Sequence, residues 1–159
     1  MRKTGVWALL AVCALWFVAP LPAGEEQAWF DLDNCGICKN FNAEKGLMDA
    51  IKWETHKISN GMLTVSTIDP EYKEAFGRAQ VATMKTVEKM QGGESTHLCG
   101  FCTSYGALMM SGAQAQEIET EVGKISLITA SDEAVVKAIH EHAQHTIDEY
   151  ETWLAERGS

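Results

Sequence analysis

Two short blocks, Cys35-Gly36-Ile37-Cys38 and Cys99-Gly100-Phe101-Cys102, hold four of the five cysteines in a chain of 159 residues. Two residues between cysteines let both sulfurs turn towards one ion from a tight turn, so each block has the spacing of a tetrahedral thiolate knuckle. Together, Cys35, Cys38, Cys99 and Cys102 form a ligand set for one soft or borderline metal ion, with zinc first and copper as the alternative. Gly36 and Gly100 keep side-chain bulk away from the sulfurs. His97 lies two residues before Cys99 and is a candidate auxiliary ligand or a hydrogen-bond donor to a thiolate, or else an exposed loop histidine.

In a usual zinc ribbon about 15 to 20 residues separate the pairs. Here the second pair follows the first at an offset of 64 residues. A reason for the pairs to meet comes from the rest of the chain, which repeats itself at nearly the same interval. Phe76 answers Ile139, Thr83 answers Thr146, Met84 answers Ile147 and Val87 answers Tyr150, each at an offset of 63, and Gly61 answers Gly123 at 62.

Other chemistry is open to the same cysteines. A Cys-Gly-x-Cys block opening a helix has its first thiolate favoured by the helix dipole. It resembles the active-site motif of thioredoxin-like oxidoreductases, with Trp29-Phe30 upstream adding to the likeness. That resemblance implies thiol–disulfide exchange through Cys35, Cys38, Cys99 and Cys102. It spans about ten residues, and the chain then departs from the family: a hairpin follows where a βαβ unit would be expected, and Pro70 reads as a helix opener. Structural disulfides are a third possibility, and cross-pair bonds such as Cys35 with Cys99 would stabilise most because they close the longest loops.

The elements that must position the cysteines read as follows. Asn34 can cap a helix at the first pair, and a short, irregular helix runs from Cys38 past Phe41 to Met48, interrupted near Gly46. Ile51, Trp53 and Thr55 alternate with Lys52, Glu54 and His56, the period of a strand with one buried face. Asn60-Gly61 then signals a type I′ hairpin turn, and Leu63, Val65 and Thr67 alternate with Met62, Thr64 and Ser66. Asp69-Pro70 opens a long helix that ends at Gly92-Gly93. After the second pair come a short helix over Tyr105 to Met110 and a strand with Ile118, Thr120 and Val122 on one side. A turn at Gly123 follows, then a strand with Ile125, Leu127 and Thr129, and a last helix opened by Ser131-Asp132. Glu117, Glu119 and Glu121 read as a solvated outer face.

This pattern predicts one α+β domain over residues 24–159, built by duplication of a short helix with a CxxC pair, a β-hairpin and a long helix. The halves run from about 29 to 92 and from 93 to 157, and together they predict a four-stranded antiparallel sheet packed with helices. An exposed sheet face or edge leaves room for a homodimer.

Residues 1–23 have a basic start, an apolar run from Val6 to Val18 and small residues before Gly24, the layout of a secretory signal peptide. The expected location is secreted or periplasmic. Without Arg2 and Lys3 the chain keeps 11 Lys and Arg side chains against 22 Asp and Glu, a formal charge of −11. Such a charge repels nucleic acid and anionic lipid, so neither is an expected partner.

His142 and His145 form an i, i+3 pair on the last helix that could hold a metal but, among acidic neighbours, reads as a solvated face. Met48, Met109 and Met110 lie within about ten residues of a cysteine pair and are the thioethers to consider for copper(I). No phosphate-binding loop, nucleophile–base pair or paired-carboxylate signature supports an enzyme other than a redox one.

Overall fold

The computed structural model describes residues 27–157. The expected export signal over residues 1–23 lies outside them. After an irregular lead-in, the chain forms α1 (Lys39–Asn42), α2 (Leu47–Ala50), β1 (Ile51–Ile58), β2 (Gly61–Ile68), a 3-10 turn (Pro70–Tyr72) and α3 (Lys73–Gln91). The second half gives α4 (Gly100–Met110), β3 (Gln114–Thr120), β4 (Gly123–Thr129) and α5 (Glu133–Arg157). The strands make one antiparallel sheet in the order β1-β2-β4-β3, packed with helices, which is the α+β architecture read from the sequence. No helix among the described residues is long and apolar enough to cross a membrane.

The central pairing shows how the hairpins are related. Gly61 faces Thr129, Thr64 faces Ser126 and Thr67 faces Gly123. An offset of 62 takes Gly61 to Gly123 and Thr64 to Ser126, its own cross-strand partner. A two-fold axis through that pair, normal to the sheet, therefore exchanges the hairpins. The turns obey it: Ile68 N donates to Val122 O at 2.8 Å, and the equivalent Ala130 N donates to Asn60 O at 3.0 Å. So do the glycines. A Cβ on Gly61 would lie 1.9 Å from Ile128 O, and one on Gly123 would lie 1.9 Å from Ser66 O, again 62 residues apart.

Gly61 is thus required by close backbone approach rather than by turn geometry. The first hairpin turns at Ser59-Asn60, and no non-glycine residue among the described ones has a positive φ, so the turn is not the expected type I′. The second hairpin turns at Glu121-Val122, before Gly123 rather than at it.

On β2, β3 and β4 the helices cover a different sheet face from the one the apolar alternation suggests, whereas on β1 Ile51, Trp53 and Thr55 face the helices as expected. Trp53 pairs with Ser66 and Thr55 with Thr64, which puts Met62, Thr64, Ser66 and Ile68 on the helix side with Ser126 and Ile128. Met62, Ile68 and Ile128 are buried, whereas Leu63, Val65, Ile125 and Leu127 lie half-buried on the opposite face. Glu117 and Glu119 pair with Ser126 and Lys124 and so also stand on the helix side, not on an outer face. Both faces of β2 and β4 carry enough apolar or β-branched residues to read as buried, and the helices decide between them.

Two apolar clusters anchor the helices. Met62, Ile128, Leu108, Ile139 and Ala143 join α4 and α5 to the central strands. Leu47, Ile51, Ile68 and Ala79, with Phe41 and Phe76 against them, join α2 and α3 to the ends of β1 and β2. Asp132 caps α5, its Oδ1 accepting from the N–H groups of Ala134 and Val135 at 2.8 and 3.1 Å.

Candidate metal centre

The sulfurs of Cys35, Cys38, Cys99 and Cys102 all lie within 4.8 Å of one another, and none is in a disulfide. Cys38 Sγ is 3.6 Å from both Cys99 Sγ and Cys102 Sγ. With metal–sulfur bonds of about 2.3 Å, the edge of a tetrahedron is about 3.8 Å, so these separations suit one central ion. Cys35 and Cys99 are completely buried, Cys102 nearly so, and Cys38 is partly open. Ile37, Leu98 and Phe101 pack around the sulfurs.

Each knuckle is held by the segment leading into the other. Gly36 N donates to His97 O at 2.8 Å, and Gly100 N donates to Ala28 O at 3.0 Å. A Cβ on Gly36 would meet Thr96 Cγ2 at 2.0 Å, and one on Gly100 would meet Trp29 Cε3 at 3.0 Å. The glycines therefore leave room for the neighbouring segment to close over the sulfurs. Asp31, not Asn34, organises the first approach: its Oδ1 accepts from the backbone N–H groups of Asp33 and Asn34 at 3.2 and 2.9 Å. The bond from Asn34 N holds the Asp31 carboxyl below its ordinary range, with the Asn34 side chain, Asp33 N and nearby His97 adding to the effect against some desolvation.

Within the cluster, negative charge settles on Cys99. Hydrogen bonds from Cys102 and then Cys38, with the backbone N–H groups of Cys102 and Asp31, hold its pKa far below that of a free thiol. The Cys102 thiol is pushed up by its bonds with Cys38 and Cys99 and by burial. Cys38 gains a lowering contribution from Cys102, but its bond with Cys99, burial and the neighbouring sulfur charges raise it overall. A dication would remove this conflict by neutralising several thiolates at once.

His97 does not join the four-sulfur group. Its ring is exposed and lies 3.6 Å from Asp31 Oδ2, and it serves the site through its backbone carbonyl. His56 is exposed beside Glu54. His142 is not on a solvated face: it is 3 % exposed, its Nδ1 pairs with Ser104 Oγ at 2.8 Å, and burial, with His145 nearby, lowers its pKa to about 4. His145 stacks on Trp29 at 4.0 Å and pairs with Glu149. Of the methionines near the pairs, Met48 lines a cavity with Cys38, Met109 packs on the core and Met110 is exposed.

The supports that the cysteine pattern does not show are Asp31, Asn40 and Ser104. Asn40 Nδ2 bonds Gly36 O at 3.1 Å and reaches Thr83 and Thr86 on α3, while Ser104 holds His142 on α5. Both stand two residues after a knuckle, at the same offset of 64, so the repeat carried a signal for them. Compared with known proteins, the chain matches no family model, no curated protein and no solved structure.

Proposed function

We propose that this is an exported metal-binding protein that holds one zinc ion through Cys35, Cys38, Cys99 and Cys102. The observation that carries the reading is the convergence of four unbridged sulfurs, from knuckles 64 residues apart, within 4.8 Å. Four protein ligands would leave a tetrahedral ion no open position, so its role is structural: it staples the two knuckles and, through them, the two hairpins. Copper(I) is the second ion, favoured by the all-sulfur donor set and by Met48 beside the same cavity as Cys38.

Thiol–disulfide exchange is the competing use of the same atoms. It is favoured by the 3.6 Å contacts of Cys38, the most open of the four, with Cys99 and Cys102. Native mass spectrometry of protein purified without chelator or reductant separates the readings. One bound ion and four free thiols after denaturation support the metal site, and the mass of the ion distinguishes zinc from copper. No ion, with the mass loss of two disulfides, would overturn it.

A further inference from the structure

Under the two-fold relation α5 and α3 should cover equivalent parts of the sheet, and they do not. α5 lies across β1 and β2 and reaches β4, whereas α3 packs on α1 and makes no comparable contact with β3 or β4. β3 is exposed along its whole length. What remains between α3, α5 and the sheet is a cavity of about 1250 Å³ with a polar floor and apolar walls.

The floor shows that the space is not simply awaiting α3. Where α5 covers the sheet it meets Met62 and Ile128. Their equivalents across the axis are Lys124 and Ser66, which no apolar helix face would bury without cost. Lys124, only 11 % exposed at its side chain, is held by Glu117 at 2.8 Å and Glu119 at 3.5 Å. Thr64 and Ser126 supply hydroxyls beside it. The walls are Phe76 and Met84 of α3 and Ile147, Tyr150 and Trp153 of α5.

We infer that this cavity is a binding site for an apolar molecule with a cationic head. Its volume exceeds the roughly 300–1,000 Å³ of common small-ligand pockets, enough for an extended apolar body. The charge on its lining selects the head. Lys124 already neutralises one carboxylate, which leaves Glu54, Glu119 and Glu151 in excess, and Trp53 and Tyr150 line the wall beside them, while the Trp153 ring already carries the Arg157 guanidinium at 4.4 Å. An anionic amphiphile would find its one counter-charge already committed. Cys38, Cys102 and Met48 line the same cavity, so its shape is tested with the cysteine site filled.

The test uses the full chain with its ion bound and two amphiphiles of equal chain length, dodecyltrimethylammonium and laurate, below their micellar concentrations. Calorimetry and quenching of Trp53 and Trp153 should show one saturable site that binds the cation about tenfold more tightly than the anion. Ser126→Trp, which fills the floor, should weaken binding at least about tenfold with metal content unchanged. If that variant does not fold, Ala115→Trp on exposed β3 serves the same purpose from the rim. Glu54→Gln, Glu119→Gln and Glu151→Gln together should bring the two affinities together. No saturable binding, laurate bound as tightly as the cation, or affinity unchanged in a folded filling variant would overturn the inference.

Discussion

The two halves of this molecule repeat one plan and spend it differently. In the second half α4 is continuous, and its Leu108 is buried against Ile139 and Ala143 of α5. In the first half the equivalent helix is broken into α1 and α2, and the equivalent position is Glu44, which forms a two-pronged ion pair with Arg78 of α3 at 3.0 and 2.7 Å. Ala79 is buried on α3 where α5 buries His142. One long helix is thus committed to the central strands while the other is held along its middle by α1, α2 and the ends of β1 and β2. A duplicated fold can keep its shared elements, the knuckles and central strands, while one copy gives up packing to make a site.

The shared elements are the severest test of that contrast. Cys35→Ser and Cys99→Ser remove equivalent sulfurs of the proposed zinc site and should each abolish binding of the ion. Structural zinc contributes about 10–16 kcal/mol of apparent binding energy in small zinc peptides, so either variant should unfold at much lower temperature, as metal content and thermal melting would show. Unequal loss would mean that the knuckles are not equivalent.

The differing elements should respond unequally. Leu108→Ala empties a buried site and should cost about 3 kcal/mol in denaturant unfolding. Glu44→Ala removes a partly exposed, two-pronged ion pair and should cost clearly less. Comparable losses would erase the proposed division between a packed half and an open one. Between these two lie the expected losses from Gly61→Ala and Gly123→Ala, about 2 kcal/mol or more, because each added Cβ meets a carbonyl of the opposite central strand, with Gly123→Ala the larger because its φ of 156° also disfavours a side chain.

His142 gives a contrast in pH. Its folded pKa of about 4 lies below the ordinary histidine value of 6.5, so the unfolded chain takes up the proton first. Stability contributed by keeping His142 neutral is full above pH 6.5 and is lost as pH falls towards 4, about 2 kcal/mol between pH 7 and pH 5. His142→Asn, which keeps a group for Ser104, should lose that part of the pH dependence. Denaturant titrations of both proteins at the two pH values would show whether the difference between them vanishes.

Much of this arrangement is legible in the amino-acid sequence. The hairpins follow from alternation at Ile51–Thr55, and the meeting of the cysteine pairs follows from the repeat. The covered face of the sheet was not, because Leu63 and Val65 are as apolar as Met62, and only the packing of α5 selects Met62 and Ile128. His142 was misleading because Glu141, Asp148 and Glu149 suggest a wet surface, whereas the helix turns it towards Trp29 and Phe101. The cavity was invisible because its floor residues, Lys124 among them, look like ordinary surface charges until the register places them under two helices.

The reciprocal grip of the knuckles also sets an order of assembly. Each hairpin joins neighbouring residues and can close within about 1–10 µs, whereas β2 must find β4, and each knuckle the segment before the other, across some sixty residues of chain. The four sulfurs of the proposed zinc site come together only when that late step is over. The ion should therefore act as a latch rather than a nucleus: added metal would leave the folding rate nearly unchanged and slow unfolding, a division that stopped-flow measurements with and without the ion would reveal.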